Sequence, residues 1–248
     1  MSLVRVVRAQ LRRIGVDLVR YDADHFSELR RQQLLNERGI DLVLDVGANE
    51  GQYAETIRRN GYHGRVVSFE PLASAYCELE RRASAVPGWE THHFALGDTT
   101  GTALLHVAGN SWSSSLLAMA PRHVESAPES AYVAEEEIDV RALDDVATEL
   151  IGPRDRVWLK IDTQGYEIPV LRGAERTLDR VEVVETELSL VELYEGQVLL
   201  GEAISYLTAR GFGIWSVEPV FRDPASGELL QVDAIFARRS RPQRSANT

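Results

Sequence analysis

The stretch Asp41–Gly51, DLVLDVGANEG, constrains this chain more than any other. Leu42-Val43-Leu44-Asp45-Val46 reads as a buried strand, and it runs directly into the Gly-containing turn Gly47-Ala48-Asn49-Glu50-Gly51. A helical stretch, Gln52 to Asn60, follows. Strand, glycine turn and helix open the ligand cleft of a doubly wound α/β domain. The two glycines are expected to let backbone approach a ligand closely. The N–H groups of the turn and of the helix start are expected to meet an anionic group.

The pattern continues along the chain. Arg65–Phe69 reads as a second strand, with a helix over Leu72–Ala85. Thr91–Ala95 reads as a short third strand, and Thr102–Val107 and Glu135–Arg141 as further short ones. Arg156–Ile161 and Val181–Thr186 are core strands, with helices predicted over Gly165–Leu178 and Leu199–Arg210. Phe212–Val217 and Leu230–Ala237 leave no room for a helix between them, so they form an antiparallel pair around Asp223–Gly227. The sum is a Rossmann-like α/β domain over residues 41–238 with a seven-stranded mixed sheet, mostly parallel and closed by a C-terminal antiparallel hairpin. Residues 1–40 form a helical extension and residues 239–248 a flexible tail.

Two features bear on partners and compartment. The net charge of −11 argues against a protein built to hold nucleic-acid phosphates. The single cysteine, Cys77, excludes an internal disulfide framework and is expected in the core; no apolar run has the length of a membrane span, and the start lacks the pattern of a secretory signal. A cytoplasmic location is expected. Against the acidic whole, the first twenty residues carry Arg5, Arg8, Arg12, Arg13 and Arg20 with only Asp17. Their interleaving with apolar residues suits an amphipathic helix that either caps the domain or touches a membrane surface peripherally.

In such a sheet ligands bind beyond the C-terminal strand ends. Here those ends carry Asp45, Glu70, the Leu96–Asp98 loop, Asp162 and Glu187, nearly all acidic. Glu70 followed by Pro71 is placed for the two hydroxyls of a ribose, and Asp98 for an adenine amino group. The turn, D-x-G-x-x-x-G, is a poor match to the pyrophosphate-binding G-x-G-x-x-G. It suits S-adenosylmethionine better, whose amino acid end offers a carboxylate to Gly47, Ala48, Asn49 and Gly51 and an ammonium to Asp45 or Asp162. Residues 109–129 form a long Ser/Pro-rich stretch of the kind that carries function. Within it Trp112 with Ser113, Ser114 and Ser115 are candidates for a sugar-binding wall, and His123 is a candidate base.

Three blocks resemble a known family. They are DVGANEGQY (Asp45–Tyr53) with SFEP (Ser68–Pro71), FALGDTTG (Phe94–Gly101) with SSSL (Ser113–Leu116), and LKIDTQGYEIPVLRGA (Leu159–Ala174). On these the chain resembles the FkbM family of S-adenosylmethionine-dependent methyltransferases. The resemblance implies the class I methyltransferase fold. It also implies O-methylation of a hydroxyl on a small molecule, often a sugar of a glycolipid or polysaccharide, or a polyketide. The third block departs at one place. The family pattern often reads D-x-E-G-x-E, and Gln164 stands where the first Glu would be, so no role needing negative charge there is carried over.

A hydroxyl nucleophile needs a base. Asp162 and Glu187, at the ends of neighbouring strands, are candidates as a carboxylate base and as oxygen ligands of a Mg²⁺ ion. Glu167 is a candidate substrate contact or a helix-start acid. Lys160 should pair with an acid rather than act as base. A nicotinamide-dependent oxidoreductase and a catalytically inactive adenosyl-binding module are the alternatives, and a monomer or homodimer is expected.

Overall fold

The computed structural model describes residues 3–239, so the expected tail, Arg239 apart, lies outside the described residues. Two helices, α1 (Leu3–Arg12) and α2 (Ser27–Glu37), precede the domain. Then come β1 (Leu42–Val46), α3 (Gln52–Arg59), β2 (Arg65–Phe69), α4 (Ala73–Ala83) and β3 (Trp89–His92). A smaller unit follows: β4 (Ala95–Gly97), β5 (Gly101–Ala108), α5 (Pro121–Ser126) and β6 (Tyr132–Ala142). The chain then returns through α6 (Leu143–Leu150), β7 (Val157–Ile161), α7 (Glu167–Arg172), β8 (Val181–Ser189), α8 (Leu200–Ala209) and the hairpin β9 (Phe212–Arg222) and β10 (Leu229–Arg238).

The main sheet has seven strands in the order β3-β2-β1-β7-β8-β10-β9. All pairs up to β8 are parallel, and β10 pairs antiparallel with both β8 and β9. This is the mixed sheet expected of the class I methyltransferase fold. The chain leaves β1 toward β2 on one side, while β7 lies on its other side, so the connections diverge between β1 and β7 and leave a crevice at their C-terminal ends.

Strand alternation divides the core. Leu42, Leu44 and Val46 of β1 with Leu159 and Ile161 of β7 face Leu143, Leu171 and Leu207 of the helices on one side. Val43 and Trp158 face the other side, against Leu34 and Leu35 of α2 and Ala54 and Ile57 of α3. Helix α2 is therefore part of the second core layer and not a loose extension. No helix among the described residues is long and apolar enough to cross a membrane.

Three sequence expectations are corrected. The strand expected over Thr91–Ala95 is two strands in different sheets, because β4 leaves the main sheet to pair in parallel with β6 in a three-stranded sheet, β4-β6-β5. The helix expected over Gly165–Leu178 stops at Arg172, since Gly173 is pressed so closely on Gly97 that a Cβ there would lie 1.8 Å from the Gly97 carbonyl oxygen. Cys77 is exposed, because α4 buries Ala75, Leu79 and Ala83 on its opposite face.

Candidate active site

The crevice between β1 and β7 is an open cleft lined by Gly47, Ala48, Asn49, Phe69, Glu70, Pro71 and Leu96 at one end. Asp162, Gln164, Glu187 and Asp233 line the other end, and Trp112, Ser114 and Ser115 form a wall. The glycine turn does not serve the cleft as expected. Gly47 lies at φ +73°, and a Cβ on it would fall 1.9 Å from the Asp162 carbonyl oxygen; a Cβ on Gly51 would strike Trp89 at 2.7 Å. Both glycines are needed for internal packing, and Gly51 does not line the cleft.

The turn's N–H groups are also spent internally. Those of Gly47 and Ala48 donate to the Phe69 carbonyl at 3.0 Å, Asn49 N–H to Glu70 Oε2 at 2.8 Å, Glu50 N–H to the Asn49 side chain at 2.9 Å, and Gly51 N–H to the Ala48 carbonyl at 2.8 Å. An anionic group must instead use the free first-turn N–H groups of α3, where Gln52 and Tyr53 line the cleft.

Glu70 is 6 % exposed, and its two oxygens accept from the backbone N–H groups of Leu72 and Asn49. Burial pushes its carboxyl up to about 7, against the pull of those two hydrogen bonds. A ligand hydroxyl reaching Glu70 would complete its solvation.

Under the cleft runs a row of polar side chains in cross-strand register: Ser68, Asp45, Lys160 and Glu185. Asp45 is fully buried, so it does not line the cleft. One of its oxygens accepts from Ser68 Oγ at 3.3 Å and the other faces Lys160 Nζ at 3.4 Å. Burial raises the Asp45 carboxyl and Lys160 opposes the rise. For Lys160 itself burial favours loss of the proton, but Asp162, Asp45, Glu185 and Asp233 outweigh it and hold the ammonium. Lys160 is thus a cationic clamp between β1 and β7, as its strand position suggested.

Glu185, Arg31, Tyr53 and Asp233 were not legible in the sequence. Arg31, on α2, pairs with Glu185 at 2.5 Å, and Glu185 also accepts from Tyr53 Oη at 2.6 Å and Trp158 Nε1 at 3.1 Å. The Tyr53 ring has the Arg31 guanidinium 5.2 Å and the Lys160 ammonium 5.3 Å from its centre. The second helix therefore contributes a cation to the cleft.

Gln164 organises the opposite end. It takes the left-handed conformation, φ +55°, a strained position for a residue with a side chain. Its Nε2 donates to Asp162 Oδ1 and to Glu187 Oε2, both at 2.9 Å, and its Oε1 accepts from Tyr194 Oη at 2.7 Å. Gln231 Nε2 donates to the same Glu187 oxygen at 2.8 Å. The expected Mg²⁺ site at Asp162 and Glu187 does not fit this arrangement. An amide nitrogen with both hydrogens engaged stands between the two carboxylates, and no group of three or more metal-ligating side chains assembles among the described residues.

Glu167 is 4 % exposed and does not line the cleft. Its Oε1 takes the Thr163 N–H, the Thr163 hydroxyl and the Gly165 N–H at 3.0–3.2 Å, so it fastens its own turn and is not placed for substrate. Asp98 is exposed beyond β4 and does not line the cleft, so its placement does not support a contact with adenine.

The wall is ordered. Ser115 exchanges backbone hydrogen bonds with His106 of β5, and Ala120 N–H donates to the Leu193 carbonyl beyond β8. Ser115 Oγ donates to the Gln164 carbonyl at 2.7 Å, and Asn49 Nδ2 to Ser111 Oγ at 3.1 Å, tying the wall to both turns. Behind it lies a side cavity lined by Asn110, Ser113, Ser130, His123, Phe221 and Gln231. It meets the cleft at Trp112, Asp162, Gln164, Glu187 and Asp233, which line both. His123 is 4 % exposed on α5, its ring edge-on to Tyr194, and burial lowers its pKa so that it stays neutral.

The family model described as the methyltransferase FkbM domain matches residues 45–214, most of the chain and every element of the cleft except α2 and β10. The chain belongs to the FkbM methyltransferase family. Among curated relatives, this FkbM protein is 26 % identical over 180 residues to 2-O-methyltransferase NoeI of Sinorhizobium fredii, covering 70 % of this chain and 73 % of that one. It is 24 % identical over 210 residues to Methyltransferase 1 of Beauveria bassiana, covering 80 % and 81 %. The solved FkbM methyltransferase of Methylobacillus flagellatus KT aligns with a TM-score of 0.48 at 16 % identity; 88 % of this chain is covered, but it spans only 45 % of that one.

FkbM enzymes use S-adenosylmethionine, and the cleft fits that cofactor. Phe69, Leu96 and Leu105 give an apolar floor, and Glu70 a poorly solvated carboxylate. The carboxyls of Asp162, Glu185 and Asp233 outnumber the cations Arg31 and Lys160, which favours a cationic ligand.

Proposed function

We propose that this FkbM methyltransferase methylates a hydroxyl group, most readily one on a sugar unit of a glycolipid or polysaccharide. The observation that carries this reading is the side cavity that meets the cleft at its acidic end. Beyond the carboxyls of Glu129, Asp162, Glu187 and Asp233, its polar lining is of amides and hydroxyls, Asn110, Ser113, Ser130, Gln164 and Gln231, and the Trp112 and Phe221 rings line it too. Such a surface hydrogen-bonds and stacks on an uncharged polyhydroxylated ring. The relative NoeI, a 2-O-methyltransferase, agrees with it.

S-adenosylmethionine, when bound, supplies a methyl group on a positively charged sulfur. In this reading Glu70, which lines the cleft, holds the ribose hydroxyls, and the ionised strand-end carboxylates favour the positive charge. Trp112, Ser114 and Ser115 wall one side of the open cleft, where a bound acceptor would displace water. Orientation of this kind accounts for about 7–11 kcal/mol of a barrier when the reacting atoms are well aligned. The nicotinamide alternative is disfavoured, because the turn lacks the G-x-G-x-x-G spacing and its own N–H groups are spent internally, leaving the first turn of α3, which suits one carboxylate better than a pyrophosphate.

The test is transfer of labelled methyl from S-adenosylmethionine to a panel of sugars and glycolipids, with and without EDTA. Label in a hydroxyl-linked methyl, one S-adenosylhomocysteine per transfer, and rates unchanged by EDTA are expected. Cofactor binding with no transfer to any hydroxyl would sink the reading, and loss of activity in EDTA would sink its metal-independent form.

We further propose that the N-terminal segment rests on an anionic membrane surface. Val6, Val7, Ile14, Val16, Leu18 and Val19 are each 40–74 % exposed, interleaved with the exposed Arg5, Arg12, Arg13 and Arg20. Both features are complementary to acidic headgroups over acyl chains. The protein should co-sediment with phosphatidylglycerol vesicles and not with phosphatidylcholine vesicles, and Ile14→Asp with Val16→Asp should weaken this about tenfold. Equal partitioning to both vesicles, or none to either, is the contrary result.

A further inference from the structure

Asp233, on β10, lies outside the matched segment 45–214 and lines both the cleft and the side cavity. By antiparallel register it stands opposite Glu187 of β8 on one side and Glu218 of β9 on the other. The other cleft acids are committed. Both Glu185 oxygens accept from Arg31, Tyr53 and Trp158, and both Glu70 oxygens accept from backbone N–H groups. Asp162 is held by the Gln164 amide on one oxygen and faces Lys160 Nζ at 3.5 Å with the other. Glu187 carries two amide donors on one oxygen, and burial, with Asp162, Asp233 and Glu167 nearby, raises it well above the ordinary range and holds it toward the protonated form. Among the described residues no protein group donates a hydrogen bond to Asp233.

We propose that Asp233 is the general base that takes the proton of the acceptor hydroxyl where the two cavities meet. This rests on the hydroxyl-methylation reading above. The acceptor oxygen gains its bond to the methyl carbon as the carbon–sulfur bond breaks, the electron pair staying on sulfur. The hydroxyl proton passes to an Asp233 carboxylate oxygen and from there to solvent.

A base of this kind works best when its pKa lies near the operating pH. Burial, then Glu185 and Asp162, push the Asp233 carboxyl up to about 7, with Arg31 and Lys160 opposing. Its remaining charged neighbour, Glu218, is paired with Arg30 of α2 at 2.7 Å.

The test compares wild type with Asp233→Asn and Asp233→Ala on the hydroxyl acceptor that wild type uses. Asp233→Asn should lose 10²–10⁴-fold in kcat and the rise of kcat/KM through pH 7, while binding S-adenosylhomocysteine within a few-fold of wild type by calorimetry. Asp233→Ala should regain rate with added formate, which a merely structural residue would not permit. Asp233→Asn with near wild-type kcat and an unchanged pH profile overturns the assignment and leaves hydroxyl methylation standing. A wild-type protein that methylates no hydroxyl overturns both.

Discussion

Gln164→Glu is expected to make this protein markedly less stable than the wild type at alkaline pH, and responsive to divalent cations where the wild type is not. The Gln164 amide now donates to Asp162 and Glu187 at 2.9 Å. A carboxylate in its place turns both contacts into acceptor facing acceptor, beside Asp233 and above Glu167. Breaking a buried charged network of this kind costs about 3–5 kcal/mol, and about 2–4 °C of Tm follows each kcal/mol in a chain of this size. The variant should therefore melt roughly 10 °C below wild type at pH 8 in EDTA and recover much of the loss at pH 6, where the added carboxyl is protonated. It should also recover with millimolar Mg²⁺, since three carboxylates would then converge where hard cations are held. Thermal melts in EDTA and in Mg²⁺ at both pH values decide it. Equal stability of the two proteins at pH 8 in EDTA, or a Mg²⁺ response in the wild type, contradicts this account of Gln164.

The same residue shows how far a sequence can be read. Its departure from the family pattern is visible in the linear chain, and so is the loss of negative charge. That the amide would span two acids from β7 and β8, with Tyr194 Oη fixing its orientation, depends on contacts across twenty-three and thirty positions. The strands, Thr91–Ala95 apart, were legible because apolar runs and glycines punctuate them locally. So was the acidic character of the strand ends. Arg31 was not, because in α2 it sits in a polar run that reads as a solvent face, and only packing of that helix on the sheet brings it to Glu185. Asp233 was hidden for a related reason: it is an isolated acid in a hairpin strand, and register alone sets it opposite Glu187. The turn at Gly47–Gly51 was over-read. Its glycines answer to the Asp162 carbonyl and the Trp89 ring, contacts that no local pattern encodes.

The acidic cluster has a thermodynamic consequence for the ligand-free protein: its stability should fall as pH rises through neutrality. Burial raises Glu70 and Glu167 from an ordinary 4.5 to about 7, burial with neighbouring acids raises Asp233 from 3.8 to about 7, and Glu187 is raised by the same causes. For an acid whose folded pKa exceeds its unfolded one, the native state binds the proton more tightly. That stabilisation is complete below the unfolded pKa and is lost as pH climbs through the folded pKa. The window is therefore about pH 4.5 to 8. One group shifted this far contributes on the order of 3 kcal/mol, and because the groups interact the cluster titrates as a unit. Acids held below their ordinary range, such as Asp144 with its Thr177 and Arg176 donors, lose their contribution only at lower pH and leave this window untouched. His123 opposes the trend only in the lower part of the window, since its depressed pKa favours the fold as pH rises toward 6.5 and adds nothing further above it. Calorimetric melts should give a Tm roughly 10 °C higher at pH 5.5 than at pH 8.5. Asp233→Asn should flatten that slope by removing one of the four proton sites. A Tm that rises from pH 5.5 to 8.5 would mean that these carboxyls are ionised in the folded protein, with cations or water in the cleft meeting their charge.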